Sequence, residues 1–541
     1  MKKLYLFLFL VSSFVGFSQE DAWVYFKDKP DAATYLANPL TMLSQRALDR
    51  RTNQGIPLDS KDVPIYQPYI DQVIASAGIT VKAKSKWFNC VHVRGLQANI
   101  TALTSLYFVE KVEFANRSIN VNKISAPKQG KNKPVNKTLQ TTTTFNYGNS
   151  ANQIQMLNGH LLHQSNYTGS GKIIAVMDGG FLGVDTAPTF ARLRTNNQIL
   201  GGYNYVDKST NFYTGATHGT SVLSLMGGYV DNALVGTAPD ASYYLFITED
   251  GASENPVEES NWVEAAEEAD RLGVDIITTS LGYTTFDNSN YNLTYTDMNG
   301  VTAFISKGVD VAFSRGMVCV VSAGNEGNLA WHYVSAPADA LNALTIGAVK
   351  ADETYATFSS QGPTYDGRVK PDVTAQGQNP YVSDVSGNII NTGSGTSYSG
   401  PIVAGMVACL WQALPTKTNQ QIKQLIVQSA DRYTAPTVQY GYGIPDFSLA
   451  LVNGNALSVA DYSKSDFIVY PNPATDSISV TLSEGFNTGN AVFYTVLGQK
   501  VLEEKITKQS SVISIKSLSK GTYLYKIESN GFAKSGKIIK E

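Results

Sequence analysis

Gly395-Thr396-Ser397-Tyr398-Ser399-Gly400-Pro401, followed by the apolar run 402–411, puts one serine at the mouth of a helix. Gly395 permits a tight turn, and Pro401 suits an early helical turn where no backbone donor is needed. The unpaired N–H groups of that first turn stand beside Ser397 and would stabilise negative charge developing there. Taken alone, the stretch reads equally as a Ser/Thr helix cap. The rest of the chain has to decide.

Upstream, Lys172-Ile173-Ile174-Ala175-Val176-Met177-Asp178-Gly179-Gly180 reads as a buried strand ending in a carboxylate, with glycines where the chain leaves the sheet. The C-terminal ends of such strands are where α/β active sites are built. His218-Gly219-Thr220 opens a further helix over 221–226, so an imidazole also sits at an element's end. The chain has only five histidines. His92 and His160 lack such a setting, His163 reads as a polar loop approach, and His332 follows a Gly/Asn-rich turn.

Four blocks, the aspartate strand, His-Gly-Thr, Ser322-Ala323-Gly324-Asn325 and Gly-Thr-Ser-x-Ser-x-Pro, stand in an order that resembles the subtilisin-like serine proteases, the subtilase family. The resemblance runs over about 150–450. It implies a catalytic Asp178, His218 and Ser397, with Asn325 and the backbone N–H of Ser397 holding the oxyanion. A hydroxyl needs a base to take its proton, and the base needs a group that fixes its tautomer. Asn325 reads locally as an ordinary turn residue. Ser280, Leu281 and Gly282 resemble the family segment that pairs with an extended substrate, opposite a wall of Ala323, Gly324 and Asn325. They also read as a strand-end turn.

Two departures from the family pattern bear on the site. Gly179 stands where Thr or Ser usually follows the aspartate, which would loosen the support of Asp178. Tyr398 and Gly400 also replace more usual residues in the serine block.

Strand-like runs at 173–177, 274–277, 317–322 and 343–349 alternate with helical patterns, one over 258–272 before Gly273 and another from Thr418 with Gln421 in a capping-box position. The expected fold class is α/β: a three-layer subtilisin-like domain with a mostly parallel central sheet, after a small α+β propeptide and before a small all-β sandwich. The acidic residues of 258–272 read as a solvated face rather than a metal site. The chemistry requires no cofactor. Structural calcium accords with the resemblance, but no ligand loop is specific enough to name, so no residue is assigned as a metal ligand.

At 541 residues, 43% hydrophobic and 16% charged, the chain can bury several cores. A net charge of −3 argues against a nucleic-acid partner. Residues 1–18 read as a signal peptide, 19–120 as an inhibitor- and chaperone-like propeptide, 121–149 as a lysine-rich linker and maturation region, and 150–455 as the peptidase domain. Maturation is expected between about 115 and 150. Three cysteines are too few for a disulfide framework. A Cys319 to Cys409 bridge and two buried free thiols both remain open, with the thiols the better fit to core-type neighbours.

Residues 465–541 change to short alternating strands. Tyr470-Pro471-Asn472-Pro473, Leu497-Gly498 and Gly521-Thr522-Tyr523 resemble the type IX secretion sorting domain. That implies export from a two-membrane bacterium by the outer-membrane type IX machinery, to an extracellular or cell-surface place. A carbohydrate-binding or adhesive module is the other reading of these strands. The whole chain is expected to be a secreted serine endopeptidase acting on proteins or peptides through an acyl-enzyme. The alternatives are a catalytically weak surface protein that binds peptides, and peptide ligation by aminolysis of the same intermediate.

Overall fold

A computed structural model describes residues 19–120, 145–455 and 467–541, the last apart from 483–487, 496–498, 508–511 and 530–531. The expected signal peptide at 1–18, most of the lysine-rich linker and the Leu497-Gly498 segment lie outside the described residues. The chain divides into two compact units, Met1–Asn455 and Ala456–Glu541, each taken by itself below.

The first unit opens with β1 (Gln19–Phe26), α1 (Ala32–Ala37), α2 (Gln45–Asn53), α3 (Gln67–Ile74), β2 (Ile79–Ser85), β3 (Cys90–Leu96), α4 (Gln97–Ala102) and β4 (Val109–Phe114). The strands form an antiparallel sheet in the order β2-β3-β1-β4. Alternation along β1 sorts its faces. Ala22, Val24 and Phe26 pack with Ile70, Val73 and Ile100 from α3 and α4, whereas Trp23 joins the core of the domain that follows. Helices α1 and α2 were not expected from the sequence, because Gln45–Asn53 carries almost no apolar stripe.

That following domain begins with α5 (Ala151–Gln155) and α6 (Gly159–Gln164). Its seven-stranded sheet has the order β13-β12-β11-β10-β5-β9-β6, with every pairing parallel. The strands are β5 (Ile173–Asp178), β6 (Ile199–Asn204), β9 (Ser242–Ile247), β10 (Ile276–Thr279), β11 (Val318–Ser322), β12 (Leu344–Val349) and β13 (Val373–Gln376). Two small hairpins add β7 (Tyr229–Val230) with β8 (Leu234–Val235), and β14 (Val382–Ser383) with β15 (Ile389–Ile390). The helices are α7 (Ala191–Thr195), α8 (His218–Gly227), α9 (Val257–Leu272), α10 (Phe304–Ser314), α11 (Thr396–Ala413), α12 (Asn419–Ser429) and α13 (Phe447–Asn455).

The sheet has a core on each face. Ile174 and Val176 of β5 pack with Val222 of α8 and Met406 of α11, and Ala175 and Met177 pack with Trp262 of α9 and Val309 of α10. Cys409 belongs to the first core and Cys319 to the second, so the sheet stands between them, and Cys90, Cys319 and Cys409 are all buried free thiols. The capping box at Thr418 is present, with Gln421 accepting the Thr418 N–H at 2.9 Å. His163 is buried within α6 rather than in a loop.

The expected solvated face on α9 is absent. Glu258, Glu259, Glu267 and Asp270 are all buried. Glu258 caps the preceding turn by accepting the N–H groups of Asp250 and Asn255, both at 2.8 Å, and Glu259 accepts Ile305 N–H at 2.9 Å. Glu267 accepts Lys86 N–H at 3.0 Å, Trp87 N–H at 2.9 Å and the Ser85 hydroxyl at 2.5 Å, and so binds the β2 to β3 turn of the leader. The leader covers this helix, which periodicity within the helix could not disclose.

The second unit contains β16 (Phe467–Tyr470), β17 (Ser477–Leu482), β18 (Thr488–Thr495), β19 (Lys500–Thr507), β20 (Val512–Ser514), β21 (Gly521–Ser529) and β22 (Phe532–Lys540). They form two antiparallel sheets, β16-β17-β20 and β19-β18-β21-β22, around Ile478, Val480, Phe493, Ile527 and Ile538. Asn472 of the Tyr-Pro-Asn-Pro turn donates to Lys537 O at 2.9 Å and accepts Ile539 N–H at 2.8 Å, tying that turn to β22. Among the described residues no helix is long and apolar enough to cross a membrane.

Candidate active site

The C-terminal ends of the parallel strands bring the site together. Asp178 closes β5 with its side chain 3% exposed, and His218 is the first residue of α8. His218 Nδ1 lies 3.0 and 2.9 Å from the two carboxylate oxygens of Asp178. Gly219 makes this approach feasible, since a Cβ there would lie 2.4 Å from Gly180 O and 3.0 Å from Asp178 Cβ. The Asp178 charge raises the imidazole pKa above its ordinary value; burial opposes this and the hydrogen bond adds to it.

Ser397 is the second residue of α11, after an N-cap at Gly395. Its hydroxyl donates to Ser280 O at 3.4 Å, and among the described residues no hydrogen bond joins it to His218. Reaction therefore requires the hydroxyl to turn from the carbonyl to the imidazole, a tightening usual on substrate binding. Pro401 is not in the first turn, as the sequence suggested, but at the sixth position of α11. Lacking an N–H, it leaves Ser397 O without its helical donor, and the Ser280 hydroxyl donates to that oxygen at 3.0 Å.

Asn325 follows β11 in the segment that faces α11. Its side-chain oxygen accepts Thr396 N–H at 2.8 Å and lies 3.1 Å from the Thr396 hydroxyl, which itself accepts Gly324 N–H at 3.1 Å. The oxygen is thereby taken up, and the Nδ2 donors are left for a ligand. A Cβ built on Gly395 would lie 3.5 Å from Asn325 Nδ2 and 3.6 Å from Ser397 N. The Asn325 amide and the Ser397 N–H thus lie beside one small volume next to Gly395. Thr396 is the residue that sequence reasoning passed over; its place between Gly395 and Ser397 was the available signal.

Ser280, Leu281 and Gly282 continue from β10, facing Ala323 and Gly324. Among the described residues the peptide groups of Leu281 and Gly282 make no hydrogen bond within the chain, which suits the addition of a substrate strand. A Cβ on Gly282 would lie 2.3 Å from Ser335 Oγ, and one on Gly324 2.4 Å from Glu326 Oε2. Ser335 and Glu326 thus lie directly behind Gly282 and Gly324.

Comparison with known proteins now places the chain. A family model described as "Subtilase family" matches residues 169–444. The chain is a subtilase. Subtilisin E of Bacillus subtilis is 30% identical over 54% of the chain and 68% of its own length, and a subtilisin of Bacillus pumilus is 30% identical over 54% of the chain and 94% of its own. A solved structure of MycP1 from Mycobacterium smegmatis has 21% identity and a TM-score of 0.44, covering 59% of this chain and 89% of that one. Models described as "Peptidase S8 propeptide domain, Bacteroidota" and "Secretion system C-terminal sorting domain" match residues 21–133 and 468–541. The subtilase is a secreted serine endopeptidase made as a zymogen.

The two departures have physical answers in this subtilase. Gly179 supports Asp178 through its backbone N–H, which donates to Asp178 Oδ1 at 2.8 Å. Tyr398 lies against His218, ring centroids 6.1 Å apart at 30°. Gly400 leaves room for Ser322, whose Oγ would be 3.1 Å from a Cβ at that position. Carboxylate oxygens of Glu249, Glu254 and Glu258 lie within 4.8 Å of one another; burial raises all three pKa values, with neighbouring carboxylates of the trio adding to it for Glu249 and Glu258 and Asp287 adding to it for Glu254. Such an oxygen-only set has the chemistry of a calcium ligand group.

Proposed function

We propose that this secreted serine endopeptidase hydrolyses peptide bonds through Asp178, His218 and Ser397, with an acyl-enzyme on Ser397. His218 takes the hydroxyl proton and passes it to the leaving amine, while Asp178 holds the tautomer and stabilises the imidazolium. Asn325 Nδ2 and the Ser397 N–H hold the oxyanion. Ser280 to Gly282 and Ala323 to Gly324 receive the substrate as an added strand. The observation that carries this reading is the pairing of His218 Nδ1 with both carboxylate oxygens of Asp178, with Tyr398, the neighbour of Ser397 on α11, lying against the same imidazole. The reading as a surface protein that only binds peptides is not favoured, because Asp178 keeps its backbone support despite Gly179.

The contacts of the leader's end support a maturation cut after Asn120, within the expected window of about 115–150. Up to there the chain is held: Ala115 N–H donates to Asp21 O at 2.8 Å, Arg117 pairs with Asp297 at 2.6 Å, and the Asn120 side chain brackets both the N–H and the carbonyl of Phe114 at 2.9 and 2.7 Å. The domain at 465–541 is read as the address for the outer-membrane type IX machinery, and removing it should strand the protein inside the outer membrane. A structural calcium, if present, would fit Glu249, Glu254 and Glu258; melting with and without chelator tests it. Incubating the precursor and Ser397→Ala with a denatured protein, followed by intact mass, tests the activity. Serine-dependent loss of the leader and fragments of the substrate are expected.

A further inference from the structure

Helix α2 makes a contact set distinct from that of the leader's sheet. The sheet packs on α9 and α10 through Trp23, which stacks on Phe304 at 4.7 Å and donates to Ser260 at 2.8 Å. Helix α2 instead meets the C-terminal ends of α9 and α10. Because β10 begins just after α9 and β11 just after α10, these ends lie at the N-terminal ends of the strands, opposite Ser280 and away from the chemistry.

Arg46, Arg50 and Gln54 recur every four residues and so lie along one side of α2. Arg46 donates to Gly273 O at 2.9 Å and pairs with Asp275 at 2.5 Å. Arg50 donates to Val274 O and pairs with Asp270; Arg51 bridges Asp270 at 2.7 Å and the leader's own Asp62 at 2.8 Å. Gln54 donates to Gly316 O at 2.8 Å and accepts Asn419 N–H at 2.9 Å. The cations therefore meet carbonyls at the negative end of a helix as well as carboxylates. Gly273 and Gly316 have positive φ, and a Cβ on them would lie 2.8 Å from Arg46 Cγ and 2.9 Å from Gln54 Nε2. Both helix ends leave room for α2. The Asp270 and Arg50 side chains are 0% and 4% exposed, so the ion pair is sealed from water. Burial opposes the charge on Asp270, and the two guanidiniums outweigh it, holding the carboxyl below its ordinary range.

We propose that α2 is a second anchor, a plug of arginines seated in the socket of Asp270, Asp275 and the carbonyl ends of α9. It adds its own share to the hold on the leader, apart from the sheet's contact through Trp23, and so slows the leader's departure once the chain between them is cut. The anchor is independent of catalysis.

The test uses the Ser397→Ala precursor, cut by an added lysine-specific protease with the positions read by intact mass, and then follows leader dissociation by size-exclusion chromatography and native mass. The unaltered leader should stay with the enzyme. Arg46→Met with Arg50→Met should weaken retention at least about 100-fold, because a buried carboxylate loses partners. The hydrogen bonds of Arg46 and Arg50 all go to residues of the enzyme domain, so the leader's fold should survive. Asp275→Asn, on the enzyme side, should weaken retention in the same direction. Equal retention of the double variant would overturn the proposal. So would release accompanied by new cuts inside 19–120, which would assign the arginines to the leader's own fold. Failure of self-cleavage would appear separately, as an intact leader in the uncut protein with Ser397 present.

Discussion

The side-chain oxygen of Asn325 accepts the backbone N–H of Thr396 at 2.8 Å, so the residue before the nucleophile fixes which end of the Asn325 amide faces the reaction. A donor held in this way acts on the oxyanion and little on bound substrate. Asn325→Leu should lower kcat by about 10²–10³ with KM nearly unchanged, the magnitude known for the equivalent loss in subtilisin, a relative. Steady-state kinetics on a peptide anilide check it.

Gly395 is required by space rather than by backbone freedom. A methyl group there would lie 3.5 Å from Asn325 Nδ2 and 3.6 Å from Ser397 N, filling the volume an oxyanion needs. Gly395→Ala should fold with a melting temperature close to that of the unaltered protein and lose at least about 10²-fold in kcat, as for the loss of a donor.

The pH dependence follows from the pairing of His218 with Asp178. In the proposed mechanism the neutral imidazole is the base, and the Asp178 charge raises its pKa. Activity should therefore fall as pH drops through that raised value, with the acid limb of kcat/KM above the value of about 6.5 for a free histidine. Asp178→Asn should move the limb to lower pH and cut kcat by about 10⁴. A pH profile of both proteins gives the answer.

Position 179 should tolerate the hydroxyl it lacks. A Cβ there would meet Ala216 Cβ at 3.5 Å and Glu249 Cβ at 3.7 Å, ordinary contact distances. Gly179→Ser should keep stability within about 0.5 kcal/mol and keep activity, because the Asp178 contact at this residue comes from the backbone N–H. Thermal melting and kcat/KM measure the two parts.

Much of the site was legible because its motifs are local. Asp178 ends an apolar strand, His218 opens a helix, and Ser397 follows a glycine before an apolar run. What escaped depends on distant partners. The carboxylates of α9 resemble a wet face until the Ser85 to Trp87 turn and the guanidinium of Arg50 are placed upon them. Helix α2 has only Ala47 and Leu48 for an apolar face, packed with Met42, Leu43 and Val63, and ion pairs to distant carboxylates hold the rest of it. Pro401 looked like a first-turn residue because one sequence cannot count turns from an uncertain cap; the vacancy it leaves is filled by Ser280, more than a hundred residues away.

The account stands on an activated Ser397. The most direct measurement is fluorophosphonate labelling of the matured protein across pH, with the adduct located by peptide mass mapping. The account predicts one adduct, on Ser397, forming more slowly as pH falls and about 10⁴-fold more slowly in Asp178→Asn. No adduct, or one on another serine with the same rate in both proteins, would contradict it.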